Sequence, residues 1–364
     1  MHRLQPHMNG CPIPGAYGWQ DISGKGSSGV LILGEAMGEQ EAEESRGFVE
    51  WAPAGSVLER AIRRGGMDRD QFLMWNVVPV RPPNNWLEGA PWELEAVAWG
   101  KTYLEEVIQK YRPKAILALG GVATRATTGL AGDKLGVSSL TGFVLNSHYD
   151  KVPVIPCFHP SYLRRGKMSH FGVLLRAIRL AVSVAREGRV PVLPPLSRPP
   201  VGYKMFPNEE EALAYEKEAE RARVIAYDIE TPYSGDDAAE EAEGVQTIKS
   251  IQFSIHGEEG IFLPWRPPFI DVARRILSNR VAKLGWNVWR FDDPLLKSEG
   301  CTINGEVHDL MWAWHHLNPD LPRGLQFAAA QSGWPWPWKH YHTSDQQFYG
   351  IVDVDVLHFL AGTL

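Results

Sequence analysis

Residues 186–200 read REGRVPVLPPLSRPP, and five prolines in fifteen residues exclude a helix interior or a central strand there. A chain of 364 residues is thereby divided into two nearly equal halves, each of ordinary domain size. The expected organisation is a first domain over 1–185, a linker over 186–202 and a second domain over 203–364. No internal repeat is evident. Hydrophobic residues make up 44% and charged residues 22%, a balance that lets both halves bury a core. The net charge of −6 argues against a basic coat for indiscriminate nucleic-acid binding, but leaves room for a local basic cleft. Cys11, Cys157 and Cys301 are widely scattered and make neither a disulfide framework nor a four-thiolate metal site. The leading MHRLQPHMNG lacks the apolar core of a signal peptide, and no apolar run reaches bilayer-spanning length. The reading is of a cytoplasmic protein with no membrane partner.

The first half alternates strand and helix. Strands are expected at Val30–Leu33, Phe72–Val78, Ala115–Leu119 and Val152–Cys157, with helices such as Ser56–Arg64 and Trp92–Lys110 between them. Such alternation predicts an α/β/α layering about a mostly parallel sheet. Ligands of such sheets bind beyond the carboxyl ends of the strands. Three chemically rich segments fall there: Gly34–Gly38 (GEAMG) after the first strand, Asn76 near the end of the second, and His159-Pro160-Ser161 after the last. GEAMG has no G-K-[ST], so a phosphate loop is poorly supported.

The second half opens with a polar helix, Glu209–Arg221, followed by the strand VIAYDIE and two further strands, Ile248–Ile255 and Gly260–Leu263. Helices and loops are expected to fill most of the remainder, giving a mixed α/β domain. Asp228 and Glu230 stand two apart on a strand, so both carboxylates share one face. The apolar Val224, Ile225 and Ala226 before them bury the strand, and acids at its end need cations or donors to offset their desolvation. Further on, LGWNVWRFDD supplies Asn287, Phe291 and Asp292, and HDLMWAWHHL supplies Asp309. In FYGIVDVD, Tyr349 and Asp353 are four apart on a helical pattern and therefore share a face. The WPWPW run, Trp334–Trp338, reads as a loop whose tryptophans cap a core, with a base-stacking platform as the alternative.

The order D-x-E, N-x-x-x-F-D, Y-x-x-x-D over roughly residues 204–360 resembles the DnaQ-like (DEDD) 3′–5′ exonucleases whose third motif carries tyrosine. The proofreading domains of family A and B DNA polymerases look like this. The resemblance implies an RNase H-like mixed sheet, metal ligands at Asp228, Glu230, Asp292 and Asp353, and a water-orienting Tyr349. It implies two Mg²⁺ or Mn²⁺ ions, which suits a donor set made of oxygen alone. Asn287 is expected to contact DNA or brace the site. The implied partners are single-stranded DNA or frayed 3′ ends, with a polymerase module in cis or in trans. RNases of the RNase D type share these motifs, so an RNA substrate is the alternative.

GEAMGEQE, then Phe48 in ESRGFV, then NVVPVRPP from Asn76, then HPSYLRR look like the uracil-DNA glycosylase superfamily, most nearly its iron–sulfur (family 4) branch. The likeness covers roughly residues 29–186. It implies that Gly34, Ala36 and Gly38 floor a uracil pocket, that Glu35 and Glu41 position or activate water, and that Phe48 stacks on a flipped uracil. Asn76 would read the base's Watson–Crick edge, and His159, with Ser161 beside it, would donate to uracil O2. The chain departs from the pattern in three places. Met37 replaces the motif proline, Pro14 and Val80 stand where cysteines would, and Glu50–Pro53 is altered. With three cysteines in the chain, no iron–sulfur cluster is expected. The whole therefore reads as a bifunctional enzyme acting on uracil-containing DNA. The alternative is an exonuclease joined to a uracil-binding or scaffolding domain that does not cut.

Overall fold

The computed structural model describes Met8, residues 10–232 and residues 247–364; the leading segment read above for a leader falls largely outside them. The described chain forms two compact units that part between Leu193 and Pro194.

The first unit is built on a five-stranded sheet: β1 (Val30–Ala36), β2 (Leu73–Val78), β3 (Ala115–Leu119), β4 (Leu145–Asn146) and β5 (Pro153–Cys157), in the order β2-β1-β3-β5-β4. All pairings are parallel except β4 with β5. The first five residues of β1, all of β2 and all of β3 are buried, as a parallel sheet covered on both faces requires. The chain steps from β1 to β2 on one side and then to β3 on the other, which opens a crevice at the carboxyl ends of these strands. In that register Gly34 lies directly beside Asn76.

The helix Phe171–Glu187 packs on β3 and β5 through a stripe that includes Val173, Leu174, Ala177, Ile178, Ala181 and Val184. The segment Met168–Glu187 corrects one expectation, since its 20 residues and mean hydropathy of 1.4 make it long and apolar enough to cross a membrane. Its apolar side chains recur at helical spacing and are spent on the core, while its arginines lie between them.

The second unit carries a six-stranded sheet: β6 (Gly202–Lys204), β7 (Val224–Glu230), β8 (Ser250–Ser254), β9 (Glu259–Pro264), β10 (Ala282–Gly285) and β11 (Val307–Asp309), in the order β11-β10-β7-β8-β9-β6. β8 is antiparallel to β7 and β9, whereas β10, β11 and β6 join in parallel. The expectation of helices and loops after β9 is corrected here, because β10 and β11 both lie in that stretch. β10 is hidden in sequence by Lys283, which is fully buried, its ammonium donating to the Asn279 and Asn304 carbonyls and to Asn279 Oδ1. The helix Gln346–Ala361 seats on β7, β8 and β9. Its approach depends on Gly350, where a Cβ would come within 2.7 Å of Gln252 Cδ on β8.

Candidate functional sites

In the first unit, the carboxyl ends of β1, β2 and β5 converge on a cavity of about 540 Å³ whose lining includes Glu35, Phe48, Asn76, His159 and Ser161. Gly34, expected on the floor, does not itself line the cavity but lies behind two residues that do, Phe48 and Asn76. A Cβ there would come within 2.6 Å of Phe48 Cζ and closer still to Asn76 Oδ1, so only glycine lets both groups lie over the strand. Phe48 is buried, and its ring centroid lies 5.9 Å from that of His159. Ala36 and Gly38 also line the cavity.

The two glutamates of the loop differ in what they can do. Glu41 Oε2 accepts from the Gly38 amide at 2.6 Å, and Glu41 Oε1 accepts from the Phe48 amide. Both oxygens thus accept from backbone, and Glu41, which also lines the cavity, shapes the loop. The signal was present in sequence, since a glutamate at the third position of a helix that reaches back to the cap is a capping-box feature. Glu35 is half-buried, and its burial, followed by the Glu88 carboxylate, pushes it up to about 7.

His159 Nδ1 accepts from the Ser161 amide at 3.2 Å and lies 2.8 Å from Ser161 Oγ. A peptide N–H can only donate, so Nδ1 carries no proton and the neutral ring bears its hydrogen on Nε2. Burial, then the charge of Arg165, lowers His159 to about 4, which keeps the ring neutral near pH 7.

The resemblance that suggested this pocket raises the matter of an iron–sulfur cluster, and the donor set does not fit one. Of the three cysteines, Cys157 is fully buried and Cys11 packs at the edge of an apolar cluster that contains Ile13, Trp19 and the wholly buried Val80.

In the second unit, the alternation of β7 points Asp228 and Glu230 to one face, and the helix Gln346–Ala361 brings Asp353 to them. Each offers a carboxylate oxygen, and the three oxygens lie within 4.8 Å of one another. Asp292 stands at the start of the helix Asp292–Ser298, and its Oδ1 accepts from the Ile229 amide at 3.0 Å, between the two strand acids. Asp292 is outside the group of three but near enough that its charge raises Asp228. Asp228 is held well above the carboxylate range by burial and by the charges of Asp292, Asp353 and Glu230. Asp292 is also raised, chiefly by burial. A recessed all-oxygen cluster of this kind fits hard divalent cations.

Two holders of this site were not read from the sequence as part of it: Trp338 ends the WPWPW run and Lys339 follows it. Trp338, fully buried, donates from Nε1 to Asp353 Oδ1 at 2.6 Å. Lys339 Nζ donates to Asp353 Oδ2 at 2.7 Å and to the Tyr349 hydroxyl at 3.0 Å. Burial pulls the Lys339 ammonium down, but the charges of Asp353 and Asp228 outweigh it and leave it raised. The loop bearing both is pinned by Gln326 Oε1, which accepts from the Trp338 and Lys339 amides. Asn287 has a backbone φ of 64° in the turn after β10, and its amide donates to Asp309 Oδ1 at 2.9 Å. Asp309 also takes the Trp289 and Met311 amides, and so organises the turn.

Residues 23–179 match the family model described as the uracil DNA glycosylase superfamily. The type-4 uracil-DNA glycosylase of Thermotoga maritima is 34% identical over 161 residues, covering 44% of this chain and 79% of that protein. The enzyme of the same name from Pyrobaculum aerophilum is 34% identical over 172 residues, covering 45% of this chain and 83% of that protein. Among solved structures, the EXO domain of Aedes aegypti Nibbler is 14% identical, with a TM-score of 0.33 over 43% of this chain and 83% of that one. Trypanosoma brucei RNase D in complex with RNA U12 is 19% identical, with a TM-score of 0.30 over 43% of this chain and 60% of that one. Likenesses at these scores carry no weight for the chemistry of the second unit, which rests on its own side chains.

Proposed function

The chain belongs, through residues 23–179, to the uracil-DNA glycosylase superfamily, and from that membership we propose that it is a DNA enzyme with two activities: excision of uracil by the first unit and 3′–5′ exonucleolytic hydrolysis by the second. One observation carries the first activity. Glu35, Phe48, Asn76 and His159 come from separate segments and meet in one cavity at the carboxyl ends of the strands.

A base entering that cavity must leave the stack. Phe48 would then cover its face, and Asn76 would read its edge. As the N1–C1′ bond breaks, negative charge builds on the base and positive charge on the sugar. His159 Nε2–H, the free donor of a neutral ring, faces the first charge, and Glu35 serves the second and orients the water that adds to C1′. The water's proton passes on to the departing base.

For the second activity, Asp228, Glu230, Asp353 and Asp292 would hold two divalent cations, Mg²⁺ or Mn²⁺. When bound, these supply activation of water and neutralisation of the leaving oxygen. The chain's own residues do the rest. Tyr349 orients the attacking water, and Lys339 holds the Tyr349 hydroxyl and Asp353 in place. A uracil reader in the same chain favours DNA over RNA as the substrate, and single strands or frayed 3′ ends suit both units. A place beside a polymerase module, in the same chain or as a partner, is consistent with this chemistry.

A 5′-labelled single strand with one deoxyuridine tests the reading. In EDTA followed by hot alkali, a single product ending at the uracil position is expected. With Mg²⁺ and no alkali, a ladder shortening from the 3′ end is expected. An intact strand in EDTA would refute excision, and an intact strand in Mg²⁺ and in Mn²⁺ would refute the nuclease.

A further inference from the structure

Asn76 can read a base edge only if its amide faces one way. Uracil presents a donor at N3 and an acceptor at O4, whereas cytosine presents the reverse. An asparagine free to turn over would serve both.

The orientation is settled by Gln20, 56 residues away in sequence and fully buried. β2 is an edge strand, and the Gln20 side chain caps its open side much as a neighbouring strand would. Gln20 Oε1 accepts from the Asn76 backbone amide at 3.0 Å, while Gln20 Nε2 donates to the Met74 carbonyl at 3.3 Å. A peptide N–H can only donate and a peptide C=O can only accept, so the Gln20 amide has one allowed orientation. The same Oε1 lies 2.9 Å from the Asn76 side chain, and the atom facing it must be the donor Nδ2. Turning Asn76 over would set two acceptors against each other in a buried site. Asn76 Oδ1 is therefore directed to the other side, over Gly34 and beside the Phe48 ring. It takes no hydrogen bond among the described residues and is left as the acceptor for a base.

We propose that Gln20 is the residue that sets the uracil-over-cytosine preference of the cavity, by locking Asn76 with its oxygen toward the base. This rests on the reading of the cavity as a uracil site. Gln20 touches no substrate; it is a positioning residue.

The test compares the wild-type protein with Gln20→Met and Gln20→Glu. Two quantities are read: the rate of excision from a deoxyuridine strand, and inhibition of that reaction by free uracil and free cytosine. Methionine matches the shape of glutamine but offers neither hydrogen bond. The preference for uracil over cytosine should fall about tenfold or more, as expected for loss of one edge-reading pair. Glutamate keeps an acceptor toward Asn76, and once buried and protonated it can still donate to the Met74 carbonyl. It should keep the wild-type preference, whatever it does to stability. If Gln20→Met lowers excision but leaves the preference unchanged, or if Gln20→Glu relaxes the preference, the lock is refuted. The glutamate arm decides even if the methionine variant does not fold. A wild-type protein that neither excises uracil nor is inhibited by it refutes the cavity reading itself, which is a different result from either variant's failure.

Discussion

The substitution Gly34→Ala puts Phe48 and Asn76, two residues that line the first cavity, under direct strain. The added methyl would lie 2.6 Å from Phe48 Cζ and nearer still to Asn76 Oδ1. Carbon atoms rest at about 3.5–4.0 Å, so the Phe48 ring must retreat by about 1 Å. Both neighbours are buried, and overpacking of this kind costs about 1–3 kcal/mol of stability. The catalytic effect should be larger than the structural one. A base held between Phe48 and Asn76 would be displaced by a similar distance, and misplacement of about 1 Å costs on the order of 10²-fold in rate. The assay is single-turnover excision from a deoxyuridine strand in EDTA, well below the melting temperature. The variant's near-UV circular dichroism and melting transition serve as the control for folding of the first unit. A folded variant that excises uracil within about threefold of wild type would show that the base is not seated between Phe48 and Asn76, and the cavity would need another assignment.

Further outcomes are expected. Excision should rise with pH through about 7, because Glu35 must lose its proton to act and is held there by burial and by Glu88; His159, lowered to about 4, stays neutral across the rise. Glu35→Gln should flatten that profile and slow excision by about 10²–10⁴-fold. It should also raise the melting temperature at pH 8 more than at pH 5, since a carboxyl raised on folding loses stability as pH climbs from its ordinary value to its folded one. Asp228→Ala should abolish the nuclease at any Mg²⁺ or Mn²⁺ concentration and leave excision intact; persistent hydrolysis would overturn the metal-ligand assignment. Lys339→Met should tighten Mn²⁺ binding by about tenfold, worth roughly 1.4 kcal/mol, because Asp353 loses a competing cation; calorimetric titration of the metal would read it. Cutting the chain between Leu193 and Pro194 should lower nuclease action on uracil-containing strands at low enzyme concentration, because the linker then no longer sets the local concentration of one unit near the other.

Part of this architecture is legible in the sequence and part is not, for physical reasons. β1 and β7 stand out because each opens as an apolar run and carries acid near its carboxyl end, Glu35 in β1 and Asp228 and Glu230 in β7, and the D-x-E of β7 uses the two-residue period of a strand. β10 and β11 do not stand out. They have four and three residues, and Lys283 in β10 is a residue type that normally signals exposure. Its burial depends on carbonyl oxygens from Asn279 and Asn304, which no local pattern announces.

The same division runs through both sites. Groups that would touch substrate or metal are confined by chemistry to one or two residue types: a carboxylate for a divalent ion, an amide for a base edge, an imidazole for a developing anion. Spacing and order then reveal them, as with Asp228, Glu230, Tyr349 and Asp353. The residues that hold those groups face a looser requirement, since any donor or acceptor at the right point will serve. Gln20 reaches Asn76 across 56 positions, and Lys339 reaches Asp353 across 14. Neither partnership has a period or a fixed spacing. Glu41 shows the converse, because a carboxylate inside a motif reads as reactive, while the bonds from the Gly38 and Phe48 amides to its oxygens, which also hold the loop, do not show in the motif. A motif therefore identifies which functional groups are present, and only the hydrogen-bond partners decide which of them remain free to act. By that criterion Asn76 Oδ1 and His159 Nε2 stay open in the first cavity, while Glu41 and Gln20 hold its frame.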